Sequence, residues 1–239
     1  MPVVADLCVE GVLPLGPIAA FVDYQAGVLS IGAAAPQWIA TQNLDLQLVA
    51  PVGSGVVHAT SRAVRSGANT LISETELRDD AGQVLGHATV TYAKLTRVDS
   101  PAVAPAPEFR DLAEPVGVER PRQPLAVLLG FSVDLAQREL SFGHDVVLRN
   151  STGAIQGGVV AIAMDQLGAQ VASAALREPC DTVSLHVHYL AAGRKPPFVL
   201  RSEVLSTSST GDSLVRAVLS EEPTGRSLAY GISRVSARR

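Results

Sequence analysis

Asn150-Ser-Thr-Gly-Ala-Ile-Gln156-Gly157-Gly158-Val-Val-Ala-Ile-Ala-Met-Asp165-Gln-Leu-Gly168 is the most strongly patterned segment of the chain. It reads as the end of a strand, a short turn, a glycine pair opening a helix, and one carboxylate deep in that helix. Ala, Val, Ile and Met follow the glycines without a breaker, so the helix is apolar on nearly every side. A helix of that kind is built to be wrapped by the rest of its chain. Asp165 is the exception, because an ionised carboxylate in apolar surroundings costs several kcal/mol unless something pairs with it. It is either a satisfied structural group or one that faces a site.

Working outward, the stretch has a paler copy. Gly16-Pro-Ile-Ala-Ala-Phe-Val-Asp23-Tyr-Gln-Ala-Gly27 also begins at a glycine, runs apolar, and places an aspartate seven residues on. Asp23 stands 142 residues before Asp165, and Thr41 stands 141 before Thr182 in a second matching segment. Two anchors with nearly one offset indicate an internal repeat. Each copy is followed by the same run of elements. In the first, alternating strands are expected over 55–64, 70–78 and 84–93, with a hairpin turn at Asp79-Asp-Ala-Gly82. In the second, strands are expected over 198–205, 213–220 and 227–235.

Between the copies, residues 100–124 carry six prolines, the composition of a stiff extended linker. The expected domains are therefore 1–98 and 125–239, joined by 99–124. The second adds strand-like segments at 130–140 and 142–149 before its helix. The first has fifteen residues before Gly16, room for one short strand at most.

Composition excludes several classes. The chain has 239 residues, 47% of them hydrophobic, which suits one large or two small cores. A net charge of −4 argues against nucleic-acid binding. Asp165, Gln166 and Gln170 interrupt the longest apolar run, so no membrane span is expected. No basic stretch leads an apolar one at the N-terminus, and the two cysteines, Cys8 and Cys180, have no metal-type spacing. The expectation is a cytoplasmic protein with reduced thiols.

A long buried helix followed by an antiparallel meander, given twice, resembles the hotdog fold. Asn150, Gln156-Gly157-Gly158 and Asp165 are moreover similar to the Asn, His-Gly-Gly and Asp of the phenylacetate-pathway (PaaI-like) acyl-CoA thioesterases. Arg65-Ser-Gly-Ala-Asn-Thr-Leu followed by Asp80-Ala-Gly82 resembles that family's later strands. Gln156 stands where the family has His. Cys8 and Pro14 stand in the first copy where Asn150 and Gln156 stand in the second. The resemblance implies an α+β fold of two tandem hotdog domains forming an intramolecular pseudo-dimer. It also implies hydrolysis of an acyl-CoA thioester with no metal or redox cofactor, and chains that pair as homodimers.

The chemistry can be argued from the residues. Thioester hydrolysis needs a polarised carbonyl and an activated water. A helix N-terminus offers free N–H groups and partial positive charge to a developing oxyanion. Gly157 suits close approach to that backbone, Asn150 would donate a second hydrogen bond or hold the water, and an aspartate would serve as general base or nucleophile. Gly157 and Asp165 are eight residues apart on one helix, about 12 Å of rise, too far to act on one carbonyl. The base must then come from another helix. The hotdog resemblance implies halves paired with their central helices side by side, the start of one beside the middle of the other, so the expected site is composite. Gly157 and Asn150 come from the second half, and Asp23 comes from the first with Thr41 supporting it. The reciprocal site, with Asp165 and Thr182, lacks the asparagine.

Each residue also has a plain structural use. The aspartates would be hydrogen-bonded core carboxylates, the glycine pair a tightly packed helix start, Asn150 a turn residue, and the threonines ordinary strand residues. Gln156 would cap or orient its turn. Arg65-Ser66-Gly67 is a turn with a cation, either simply solvated or a holder of CoA phosphate. Gln156 and Gly158 complete the expected substrate contacts. His186 and His188 share one strand face, but no third ligand is visible in sequence and no metal is assigned. Gly-x-Ser-x-Gly is absent, so serine-type chemistry is disfavoured. The rival functions are a non-catalytic acyl-CoA-binding protein and a hydratase, the latter short of a histidine near either helix.

Overall fold

The computed structural model describes residues 1–96, 123–143, 148–150 and 152–238. Most of the expected linker lies outside these residues. Two 20-residue helices dominate: α1, Leu15–Ala34, and α3, Gly157–Leu176. Each is apolar around most of its circumference, as the sequence patterns require. α1 opens with Pro17 in its first turn, where a missing N–H costs nothing, and stops before Pro36. α3 ends at Arg177, whose left-handed backbone (φ 59°) turns the chain.

After α1 come β1 (Trp38–Leu48), β2 (His58–Ser66), β3 (Thr70–Arg78) and β4 (Val84–Leu95). A one-turn helix α2 (Leu125–Leu128) precedes β5 (Ser132–Asp134) and β6 (Glu139–Phe142). After α3 come β7 (Cys180–Tyr189), β8 (Phe198–Thr207), β9 (Asp212–Glu221) and β10 (Arg226–Ala237). All ten strands form one antiparallel sheet in the order β2-β3-β4-β1-β7-β10-β9-β8-β6-β5. The two meanders join through β1 and β7, where Asn43 lies opposite His188 and Asp45 opposite His186.

Period-two alternation sets the inner face. Along β3 every second residue is buried, Leu71, Ser73, Thr75 and Leu77, while Glu74 and Glu76 point outward. Leu44, Leu46, Val90, Leu185, Val187, Leu200 and Leu219 extend that face under the helices. α1 and α3 pack on each other as well as on the sheet. A Cβ on Gly16 would sit 2.7 Å from Ile162 Cα, and one on Gly158 2.7 Å from Ala20 Cβ. Neither glycine has positive φ, so close helix approach is what they supply.

One expectation changes. The segment 130–140 is a hairpin of two short strands rather than one strand, because Asp134 accepts from the N–H groups of Ala136 and Gln137 and turns the chain. Of 142–149, residues 144–147 lie outside the described set, and Arg149 pairs with Ile155 only as an isolated bridge. Before α1 there is no strand, only a 3-10 turn at Ala5–Leu7 and isolated bridges such as Leu13 with Val52. In addition, α3 is long and apolar enough by composition to cross a membrane despite Asp165, Gln166 and Gln170, although over half of it is buried within the fold.

Candidate functional site

The packing of α1 on α3 brings the start of each helix beside the middle of the other. Asp23, in the middle of α1, faces the first residue of α3: a Cβ on Gly157 would lie 2.8 Å from Asp23 Oδ2. Thr41 on β1 donates its hydroxyl to Asp23 Oδ1 at 2.9 Å. The composite arrangement of Asp23, Gly157 and Thr41 is therefore present.

Gly157 is the first helical residue, and its N–H has no intrahelical acceptor. No hydrogen bond occupies that N–H among the described residues. Tyr189, at the end of β7, closes the opposite side. Its hydroxyl donates to the Gly157 carbonyl at 3.0 Å, and its ring lies 3.4 Å from where a Gly157 Cβ would be. Any side chain at Gly157 would press its Cβ into the Asp23 carboxylate, with the Tyr189 ring in contact on the other side. Tyr92 adds a long hydrogen bond, 3.5 Å, from its hydroxyl to the Asp23 backbone carbonyl.

Burial pushes the Asp23 carboxyl up to about 6, against the opposing pull of the Thr41 hydrogen bond. By solvent exposure the residue is only half-buried, so the carboxylate combines apolar surroundings with a remaining path to water. The Tyr189 phenol is raised well above its ordinary value by burial first and then by the Asp23 charge, and stays neutral as a hydrogen-bond donor.

The reciprocal site is built differently. Asp165, 3% exposed, accepts the Gly16 N–H on Oδ2 at 2.8 Å. Burial raises its pKa to about 6, with Thr182 and the Gly16 N–H acting in the opposite direction. The Thr182 hydroxyl lies close enough to favour the ionised carboxylate, yet its geometry closes no hydrogen bond. At the position corresponding to Gly157 stands Leu15, fully buried. A cleft of about 780 Å³ opens beside Asp165, lined by Cys8, Pro14, Ile162, Thr182, Arg177 and Arg238 among others.

The other expected residues fall at different distances from this chemistry. Asn150 is exposed, and its side-chain oxygen accepts from Thr152 N (2.9 Å), Thr152 Oγ1 (2.7 Å) and Ala154 N (3.1 Å). That is an Asx turn leading into α3, and it spends the oxygen while leaving the amide NH₂ as the group available to a substrate. No hydrogen bond joins Asn150 to Asp23 among the described residues. Gln156 occupies the cap position of α3, but its side chain donates to Arg149 O at 3.0 Å and so orients the turn instead of capping the helix. Gly158 serves helix packing. Arg65, Ser66 and Gly67 lie at the β2–β3 turn on the edge strand, where Lys94 donates to Ser66 Oγ at 2.8 Å.

Tyr189 and Leu15 escaped sequence reasoning. Tyr189 carries no signal except that it lies seven residues after Thr182 on the same strand. Leu15 was legible, because the offset of 142 that aligns Asp23 with Asp165 sets Leu15 against Gly157.

No protein-family model matches the chain, and no curated protein matches it in sequence. Solved structures do. The tesB protein of Mycobacterium avium subsp. paratuberculosis is similar at 14% identity and TM-score 0.66, covering 97% of this chain and 90% of that one. The 12:0-ACP thioesterase from Umbellularia californica is similar at 9% identity and TM-score 0.64, covering 100% and 92%. A conserved protein with hot dog fold from Alicyclobacillus acidocaldarius is similar at 15% identity and TM-score 0.62, also covering 100% and 92%. At these identities the likeness is one of architecture: the chain has the hotdog fold.

Proposed function

We propose that the chain is a tandem pair of PaaI-like hotdog halves that hydrolyses an acyl-CoA thioester at the Asp23–Gly157 site. The observation that carries this reading is a helix-start N–H with no partner, set beside a hydrogen-bonded carboxylate of raised pKa from the other helix. The thioester carbonyl accepts the Gly157 N–H, and the Asn150 amide supplies a second donor to the carbonyl or the water. Asp23, held by Thr41, either takes a proton from water as the water attacks the carbonyl carbon or attacks that carbon itself. The C–S bond breaks, the thiolate leaves with a proton, and the free acid remains. In the nucleophilic route water then cleaves the Asp23 anhydride. A carboxylate with pKa near 6 is mostly ionised at neutral pH and a stronger base than an exposed one, which suits either role. Arg65, with Ser66 and Gly67, holds a CoA phosphate, and Gln156 orients the turn that leads to Gly157.

A second reading has its own observation, since the 780 Å³ cleft opens beside Asp165. It is disfavoured as the seat of chemistry because the Gly16 N–H is occupied by Asp165 and Leu15 fills the place of Gly157. Thiol release from acyl-CoA and acyl-ACP panels decides between the two. The expected result is release from acyl-CoA that falls about 100-fold or more in Asp23→Asn, the scale of a lost general base. Asp165→Asn should stay within a few-fold of wild type. The opposite pattern moves the reaction to Asp165. Release from acyl-ACP alone changes the carrier, and no release from either panel, with CoA still bound, leaves a binding protein.

A further inference from the structure

The outer face of the sheet carries a cluster that thioester hydrolysis does not use. At the seam between β1 and β7, His186 Nδ1 lies 2.9 Å from Asp45 Oδ2, and His188 Nδ1 lies 2.5 Å from Asn43 Oδ1. The two Nε2 atoms point at each other across 3.0 Å. The rings are tilted at 60° with centroids 4.4 Å apart, so this is an edge-to-edge meeting of nitrogens and not a stack. Both groups are part-exposed, with 39% of the His186 side chain and 37% of Asp45 open to solvent.

An ionised carboxylate only accepts, so His186 carries its proton on Nδ1 and turns its Nε2 lone pair toward His188. With the Asn43 oxygen facing it, His188 carries its proton on Nδ1 as well. Each Nε2 then presents a lone pair, and two lone pairs meet at 3.0 Å. An electrophile between them, a shared proton or a metal ion, relieves that contact. Two imidazole nitrogens bound to one zinc at 2.0–2.1 Å in tetrahedral array are separated by about 3.3 Å, a few tenths of an ångström wider than the present gap. An imidazole whose second nitrogen donates to a carboxylate or amide oxygen is the usual form of a metal-bound histidine, and those outer partners strengthen the bond.

We propose that His186 and His188 bind one divalent transition-metal ion through their Nε2 atoms, with Asp45 and Asn43 as the outer hydrogen-bond partners. No third His, Cys, Asp or Glu converges on the site among the described residues. Water fills the remaining positions, and binding is exchangeable. Imidazole ligands favour Cu(II) over Zn(II) and both over Mg(II) or Ca(II). The histidines belong to β7 and their outer partners to β1, so the ion braces the one strand pair that joins the two meanders. The site lies on the opposite face of the sheet from the helices and is independent of the thioesterase reading.

Titration calorimetry of the tag-free full chain with ZnCl₂ and CuCl₂, with MgCl₂ as the control ion, tests this. One saturable equivalent of zinc is expected, with copper bound more tightly and magnesium silent. His186→Gln and His188→Gln should each weaken binding at least tenfold. Asp45→Ala should weaken it about ten- to a hundredfold, and His58→Gln, at a distant exposed histidine, should leave it unchanged. Electron paramagnetic resonance of the Cu(II)-loaded wild type needs no variant and should show coupling to two equivalent nitrogens. Absence of saturable binding, binding that survives loss of both histidines, or a copper spectrum without nitrogen coupling overturns the proposal.

Discussion

The starts of the two long helices are related by the internal repeat, yet they are finished in opposite ways. At α3 the first residue is Gly157, its N–H is unoccupied among the described residues, and the facing carboxylate of Asp23 is tied sideways to Thr41. At α1 the first residue is the buried Leu15, and the facing carboxylate of Asp165 takes the Gly16 N–H for itself while the Thr182 hydroxyl closes no hydrogen bond among the described residues. The same folded frame thus yields one helix start that can receive a carbonyl oxygen and one whose donor is already satisfied. A carboxylate is a catalytic asset only where the adjacent donor is left for the substrate. What separates the sites is the partner of each aspartate, since burial raises both to about the same pKa.

The largest effect is expected from closing the open start. Gly157→Ala places a methyl 2.8 Å from Asp23 Oδ2, and the carboxylate must swing away. Because the obstacle is the end of a side chain, the fold should tolerate the change while activity falls about 100-fold, the usual result of misplacing a reacting group by an ångström. Gly158→Ala, one residue on, meets Ala20 Cβ at 2.7 Å and its Cα at 3.0 Å, which only a shift of helices relieves. Its cost should appear as about 1–3 kcal/mol of stability, measured by denaturant unfolding. Equal activity losses with equal stability losses at the two glycines would break the distinction between an approach glycine and a packing glycine.

Asp165→Asn tests the satisfied start. The Asp165 pKa is raised above its unfolded value, so the folded state binds the proton more tightly than the unfolded state. Its contribution to stability is fully present below about pH 4 and is lost as pH rises through about 6. Asparagine keeps the acceptor for Gly16 and removes the buried charge. The variant should therefore gain about 1–3 kcal/mol over wild type at pH 8 and little at pH 4, read from thermal melts at both. A loss of stability at pH 8 would show that the charge is sustained by more than the single Gly16 bond.

Thr41→Val acts on the open start. The Thr41 hydrogen bond opposes the burial-driven rise of the Asp23 pKa. Without it the acid limb of the pH–rate profile, expected near pH 6 in the wild type, should move to higher pH, and the rate at the plateau should fall about tenfold. Thr182→Val should leave both limb and plateau in place. A limb that stays put in Thr41→Val would separate Asp23 from the rate.

Much of this contrast was readable in the chain, because a repeat turns one helix into a control for the other. The offsets carry Asp23 onto Asp165 and Thr41 onto Thr182, and the rise per residue forbids Gly157 and Asp165 from acting together. Those facts call for a carboxylate from another helix, and the hotdog resemblance, with its central helices side by side, points to Asp23. The tilt of the Thr41 and Thr182 hydroxyls does not, since both are β-branched residues at the same strand position and only packing decides whether a bond closes. Asn150 shows the same limit. Its type suits a donor or a turn equally, and the loop that spends its oxygen on Thr152 and Ala154 appears only in three dimensions. The hairpin at 132–142 was misread because short apolar runs do not mark where a turn interrupts them.

The smallest effect concerns the turns that follow in each half. The β2–β3 turn holds Arg65, with Lys94 bonded to Ser66, whereas the matching β8–β9 turn, Ser208 to Gly211, carries no cation and is bonded through Ser208, Thr210 and Asp212. Arg65 is exposed and contributes little to the fold, so Arg65→Ala should leave stability within about 0.5 kcal/mol of wild type. If this turn receives a CoA phosphate, KM for acyl-CoA should rise a few-fold at low salt with kcat unchanged, because the lost contact is made equally in the ground and transition states. The difference should fade in 0.5 M salt, where exposed charges are screened within about 4–5 Å. An acyl thioester of N-acetylcysteamine lacks the phosphates and should be indifferent to the substitution. A KM that rises equally for the truncated thioester would place Arg65 at the acyl end of the substrate, and an unchanged KM for both would return the turn to plain solvent.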